Sequence, residues 1–104
     1  MLLDLHGCPG GESGDAPCGR VNRQWDWTCW RQHETLRALE LVAKRFKGRR
    51  HVKGLAVCNE PSRHVPAQVL ASFYDQAVRV IRSAGMLEVG CGSTCFWWSW
   101  MWQR

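Results

Sequence analysis

An α/β fold of two consecutive βα units, βαβα with parallel strands and then an irregular aromatic tail, is what these 104 residues predict. Three observations lead there. Apolar residues recur twice at three- and four-residue spacing, the mark of a helix with one buried face. Apart from Lys53, the run Val52 to Cys58 reads as apolar rather than alternating, as a strand covered on both faces of a parallel sheet requires. Strand and helix signals also alternate along the chain, and sequential βα order favours parallel strands joined by right-handed crossovers.

Leu2-Leu3-Asp4-Leu5-His6 reads as a short strand, ended by Gly7, Pro9, Gly10, Gly11 and Gly14. A long loop runs from there to about Thr28, well past the roughly 2 to 6 residues usual for such a connection, and loops of that size commonly carry function. Leu36, Leu39, Val42, Ala43 and Phe46 set a helix from about Cys29 to Lys47. Thr28 can cap its start, Lys44, Arg45 and Lys47 suit its negative end, and Gly48 closes it. After the strand Val52–Cys58, a second helix starts at Pro66, a residue suited to a first helical position. Its stripe is Leu70, Phe73, Tyr74, Ala77, Val80 and Ile81, and Gly85 ends it.

Residues 1–86 thus read as one domain, and residues 87–104, with "CFWWSWMWQR", as a tail without an assigned element. The tail has three readings: an apolar cover for the sheet, a membrane-surface contact that lacks the usual basic polar face, or a segment foreign to the domain. At 45% hydrophobic and 22% charged residues the composition is globular and excludes general disorder. The net charge of +5 gathers between residues 31 and 54, around one helix end, so nucleic acid is not expected as a partner. Neither an export signal nor a run of the roughly 20 apolar residues that span a membrane is visible, so no membrane partner is expected and localisation stays open. Oligomeric state is open as well.

Six cysteines, Cys8, Cys18, Cys29, Cys58, Cys91 and Cys95, permit a disulfide framework without selecting a connectivity. A Cys8–Cys18 bridge across the Gly-rich loop is the favoured pair, and Cys58 reads as a buried thiol. Zinc-type spacings such as C-x2-C answered by H-x3-5-H do not occur, so no metal is expected.

In parallel α/β architectures the carboxyl ends of the strands face ligands. His6 stands at the first such end, and Asn59 with Glu60 at the second. Singly each has a bland role, as a structural imidazole, a turn residue or a solvated carboxylate. Together they put an imidazole, an amide and a carboxylate on one rim, a composition suited to a sugar or a phosphate.

"LLDLHGCPGGESG" followed by Trp27, Thr35, Leu39 and Arg45, then "VKGLAVCNEP" and "FYDQAVRVIR", resembles glycoside hydrolase family 5, in particular its exo-β-1,3-glucanase branch. The likeness spans roughly residues 2 to 86 and rests on Asn-Glu-Pro after an apolar strand, about 45 to 50 residues beyond "DLHG-x-PG". It implies strands three and four of a TIM (β/α)8 barrel, with their helices. By that resemblance Glu60 is the general acid/base, Asn59 bonds the sugar 2-hydroxyl, and His6 lines the same subsite. The substrate would be a β-glucan or β-glucoside. No cofactor is implied, because a retaining glycosidase works with two carboxyl groups roughly 5 to 5.5 Å apart. Members of the family are often secreted.

The sequence also departs from the family. Nothing after Glu60 matches the attacking carboxylate of strand seven: Asp75 falls within the second helix and Glu88 within the tail. A whole barrel needs about 250 residues. The family's frequent "GSQNG" is here Gly10-Gly11-Glu12-Ser13-Gly14. Trp25, Trp27 and Trp30 suit either a sugar-stacking platform or packing of the long loop. Two alternatives stand beside the hydrolase: a non-catalytic truncated fragment that at most binds carbohydrate weakly, and an S-adenosylmethionine-dependent methyltransferase. The latter rests on "LEVGCGS", residues 87–93, although only a short stretch remains for the helix and second acidic strand it needs.

Overall fold

The computed structural model describes residues 1–86, which form a βαβα unit. The elements are β1 (Leu2–Asp4), α1 (Gln32–Phe46), β2 (Gly54–Ala56) and α2 (Ala67–Ser83). The tail, the methyltransferase-like "LEVGCGS", Glu88, Cys91 and Cys95 lie outside the described residues. β1 and β2 pair in parallel with Leu2 opposite Gly54, Leu3 opposite Leu55 and Asp4 opposite Ala56. The Leu5 N–H donates to the Ala56 carbonyl at 3.0 Å and the Lys53 N–H to the Met1 carbonyl at 2.8 Å, so pairing extends past both ends of β1.

The regular part of β2 is shorter than the apolar run that announces it. Only three residues of β1 are available as a ladder partner; Gly54, Leu55, Val57 and Cys58 are buried, Val52 and Ala56 half-buried and Lys53 exposed, so the run is covered mainly toward its carboxyl end.

α1 buries Thr35, Leu39 and Ala43, and α2 buries Leu70, Phe73, Tyr74, Ala77 and Ile81. The two helices pack on each other, with Leu39, Phe73 and Ile81 fully enclosed in the core. Trp30 joins this core from the loop: its ring centroid lies 4.6 Å from that of Phe73 at an interplanar angle of 59°. Its indole N–H donates to Thr35 Oγ1 at 3.1 Å, so the one polar atom of the ring is satisfied.

Both helix starts differ from the sequence expectation. α1 begins at Gln32 rather than near Cys29, and Thr28 does not cap it. Thr28 belongs to a separate 3-10 turn, Trp27–Cys29, where Asp26 accepts the Thr28 backbone N–H at 2.7 Å and also its hydroxyl. A strong local Asx contact therefore stops the helix from reaching back. α2 begins at Ala67 with Pro66 one position before it, at the cap. Gly48 and Gly85 take positive φ after the two helices, +72° and +100°, as residues that terminate them.

The long loop is held by its own hydrogen bonds rather than by regular structure. Trp25 Nε1 donates to the Gly11 carbonyl at 2.8 Å, and the Arg31 N–H to the Pro9 carbonyl at 2.9 Å. Gly10 makes this second contact sterically feasible: at φ +79°, a Cβ there would stand 1.9 Å from the Cys29 carbonyl oxygen.

Candidate functional site

Parallel pairing sends both strands toward the same edge of the sheet, and His6 and Asn59 leave it as neighbours. Asn59 Nδ2 lies 3.3 Å from His6 Nε2 although the residues are 53 apart in sequence. On its other side His6 Nδ1 lies 2.8 Å from Asp4 Oδ2, at the last residue of β1. With Nδ1–H donated to the carboxylate, Nε2 of the neutral ring is left to accept from the Asn59 amide.

The Asp4 hydrogen bond is the largest cause that holds the His6 pKa above its ordinary value. Desolvation opposes it, and the charges of Asp4, Glu12 and Glu60 add to the rise. Asp4 was not singled out from the sequence. The signal was the two-residue period of a strand, which puts Asp4 and His6 on one face.

Glu60 follows Asn59 with φ +43°, the left-handed region that a side-chain-bearing residue enters at a cost of about 1–3 kcal/mol. It is exposed, and among the described residues its carboxylate has no hydrogen-bond partner. Asp75 is turned away on α2, where its carboxylate pairs with Arg79 at 2.9 Å. The three loop tryptophans do not form a platform: Trp30 is core, Trp25 is half-buried and tied to Gly11, and Trp27 alone is exposed. A cleft of ≈ 440 Å³ opens in the long loop, lined by Gly10, Gly11, Asn22, Trp25, Arg31 and Cys8 among others, and none of His6, Asn59 and Glu60 lines it.

Below the strand ends sits a second cluster that cysteine spacing did not reveal. Cys8, Cys18, Cys29 and Cys58 are free thiols, and the favoured Cys8–Cys18 bridge is absent. The Cys18 thiol instead donates to the Ser13 carbonyl at 3.0 Å, while Cys8 Sγ lies 3.8 Å from Cys58 Sγ. Glu12, from the Gly-rich loop, is fully buried beside them and accepts the Cys8 N–H on Oε2 at 2.8 Å. The hydrogen bond from Cys8, burial and the nearby carboxylates push the Cys58 thiol well above its ordinary pKa. Burial, with the charges of Cys58, Cys8 and Glu12, does the same to the Tyr74 phenol. Spacing rules look for ligands close in sequence, and this pair is separated by 50 positions, so only the parallel register could bring it together.

Comparison with protein-family models, curated proteins and solved structures finds no match to the chain.

Proposed function

We propose that the chain is part of a retaining β-glucan hydrolase barrel, contributing the acid/base Glu60 and the sugar contacts of Asn59 and His6. The observation that carries this reading is the contact between His6 and Asn59 at the carboxyl ends of two parallel strands. A glycosidase rim needs hydrogen-bonding groups that fix the hydroxyls and a carboxyl that can protonate the departing oxygen. His6 and Asn59 supply the first, and Glu60 supplies the second. The backbone strain at Glu60 fits a residue retained for chemistry rather than for stability.

Proton transfer from Glu60 is half of the retaining mechanism. The other half is attack on the anomeric carbon by a second carboxylate, and none of Asp4, Glu12 and Asp75 is placed to supply it. Asp4 is engaged by His6, Glu12 is enclosed with the thiols, and Asp75 is ion-paired on α2. The 104 residues by themselves are therefore expected to bind a β-1,3-gluco-oligosaccharide without turning it over.

Calorimetry with laminari-oligosaccharides and hydrolysis of an aryl β-glucoside test both halves. Saturable binding that weakens in His6→Ala and Asn59→Ala, with no turnover, is the expected result. Binding indifferent to both substitutions would overturn the rim assignment. Turnover lost in Glu60→Gln would show instead that the chain is a complete catalyst.

A further inference from the structure

We infer that Cys8, Cys58 and Glu12 form a binding site for one thiophilic divalent cation of the zinc class, held by two thiolates, one carboxylate oxygen and a water. The site shares no residue with the rim of His6, Asn59 and Glu60, and its success or failure is separate from that of the glucan reading.

Geometry is the first support. In a tetrahedral site with metal–sulfur bonds of about 2.3 Å, the two sulfurs stand about 3.8 Å apart. Cys8 Sγ and Cys58 Sγ are 3.8 Å apart. That is nearly twice the sulfur separation of about 2.05 Å in a disulfide. One ligand atom from each of Cys8, Cys58 and Glu12 lies within 4.8 Å of the others, and a sulfur–oxygen edge of such a tetrahedron measures about 3.6 Å. Closure around an ion therefore needs a shift of at most about 1 Å in one carboxylate.

An unpartnered atom is the second support. Glu12 is fully enclosed; Oε2 takes the Cys8 N–H, and among the described residues Oε1 has no partner. Buried polar atoms are otherwise almost always satisfied, by protein, water or an ion. Tyr74 Oη, in the same interior, is a second buried oxygen without a partner among the described residues. The backbone places the ligands: the Ser62 N–H donates to the Glu12 carbonyl at 2.8 Å, and Cys58 lies two residues past the end of β2. Cys8 also lines the ≈ 440 Å³ cleft, the side from which an ion would enter. On binding, two S–H protons leave to solvent as two metal–sulfur bonds form, and all but one of the ion's waters are displaced.

The test uses the full chain, reduced, with Cys18, Cys29, Cys91 and Cys95 replaced by Ser so that two thiols remain. Titration with Co2+ alone is expected to give one ion per chain with sulfur-to-cobalt charge-transfer absorption, displaced by Zn2+. Cys8→Ser or Cys58→Ser should remove that absorption, and Glu12→Gln should weaken binding at least about tenfold. Circular dichroism reports whether each variant folds. X-ray absorption of the zinc-loaded wild-type chain is a second measurement, expected to show a mixed sulfur and oxygen shell at about 2.3 and 2.0 Å. A folded two-thiol chain without the charge-transfer band, a band that survives both serine variants, or an all-sulfur zinc shell would overturn the site.

Discussion

Replacing Gly10 by alanine separates backbone strain from a true collision, because Gly48 offers a matched control. Both glycines adopt positive φ, +79° and +72°, so alanine at either should lose about 1–2 kcal/mol from the left-handed backbone. At Gly48 no atom of the described residues lies within 4 Å of the added Cβ, and the loss stops there. At Gly10 the new carbon would meet the Cys29 carbonyl oxygen at 1.9 Å and the Arg31 nitrogen at 3.1 Å. Two backbone segments cannot both stay, so the 2.9 Å hydrogen bond from the Arg31 N–H to the Pro9 carbonyl opens, at a further cost of about 1 kcal/mol. Gly10→Ala should therefore cost about 2–3 kcal/mol, a large share of the stability of a small domain. Urea denaturation followed by far-UV circular dichroism reads both variants, and an unchanged slope would confirm that stability alone has moved. Equal losses at the two positions would refute the close approach between the glycine loop and the start of α1.

Three further outcomes follow from the same geometry. His6, watched by NMR, should titrate above the ordinary histidine value, and Asp4→Asn should bring its midpoint down. Since the folded pKa is the higher one, the Asp4 contact stabilises fully below the unfolded value of about 6.5 and is lost as pH rises through the folded midpoint. Glu60→Gly relieves the positive φ and should raise stability relative to Glu60→Ala by about 1 kcal/mol in the same denaturation assay, while removing the acid. Phe73→Ala should cost about 3–5 kcal/mol, because a fully enclosed ring between Trp30 and Tyr74 leaves a cavity.

Periodicity made most of the described fold legible. The stripes of α1 and α2 needed only a 3.6-residue period, and the unbroken run before Asn59 announced a covered, parallel strand. Local capping chemistry was harder to read. Thr28 is a good cap by type, but Asp26 takes it into its own turn, and residue type does not say which of two adjacent Asx contacts wins. Of the site, His6 and Asn59 were visible as strand-end polar residues, and register brought them together. The thiol cluster was hidden for the opposite reason: the buried Glu12 sits in a stretch of glycines and serine that reads as solvent loop. Only the fold shows that the loop turns inward there and meets Cys58.

The rim reading is tested most directly by titrating laminari-oligosaccharide into isotopically labelled chain and following the His6 ring and Asn59 side-chain amide signals. Both should move together and saturate at a single affinity, with the response lost in Asn59→Ala. Signals that stay fixed while sugar binds elsewhere, or that move with unrelated affinities, would contradict it.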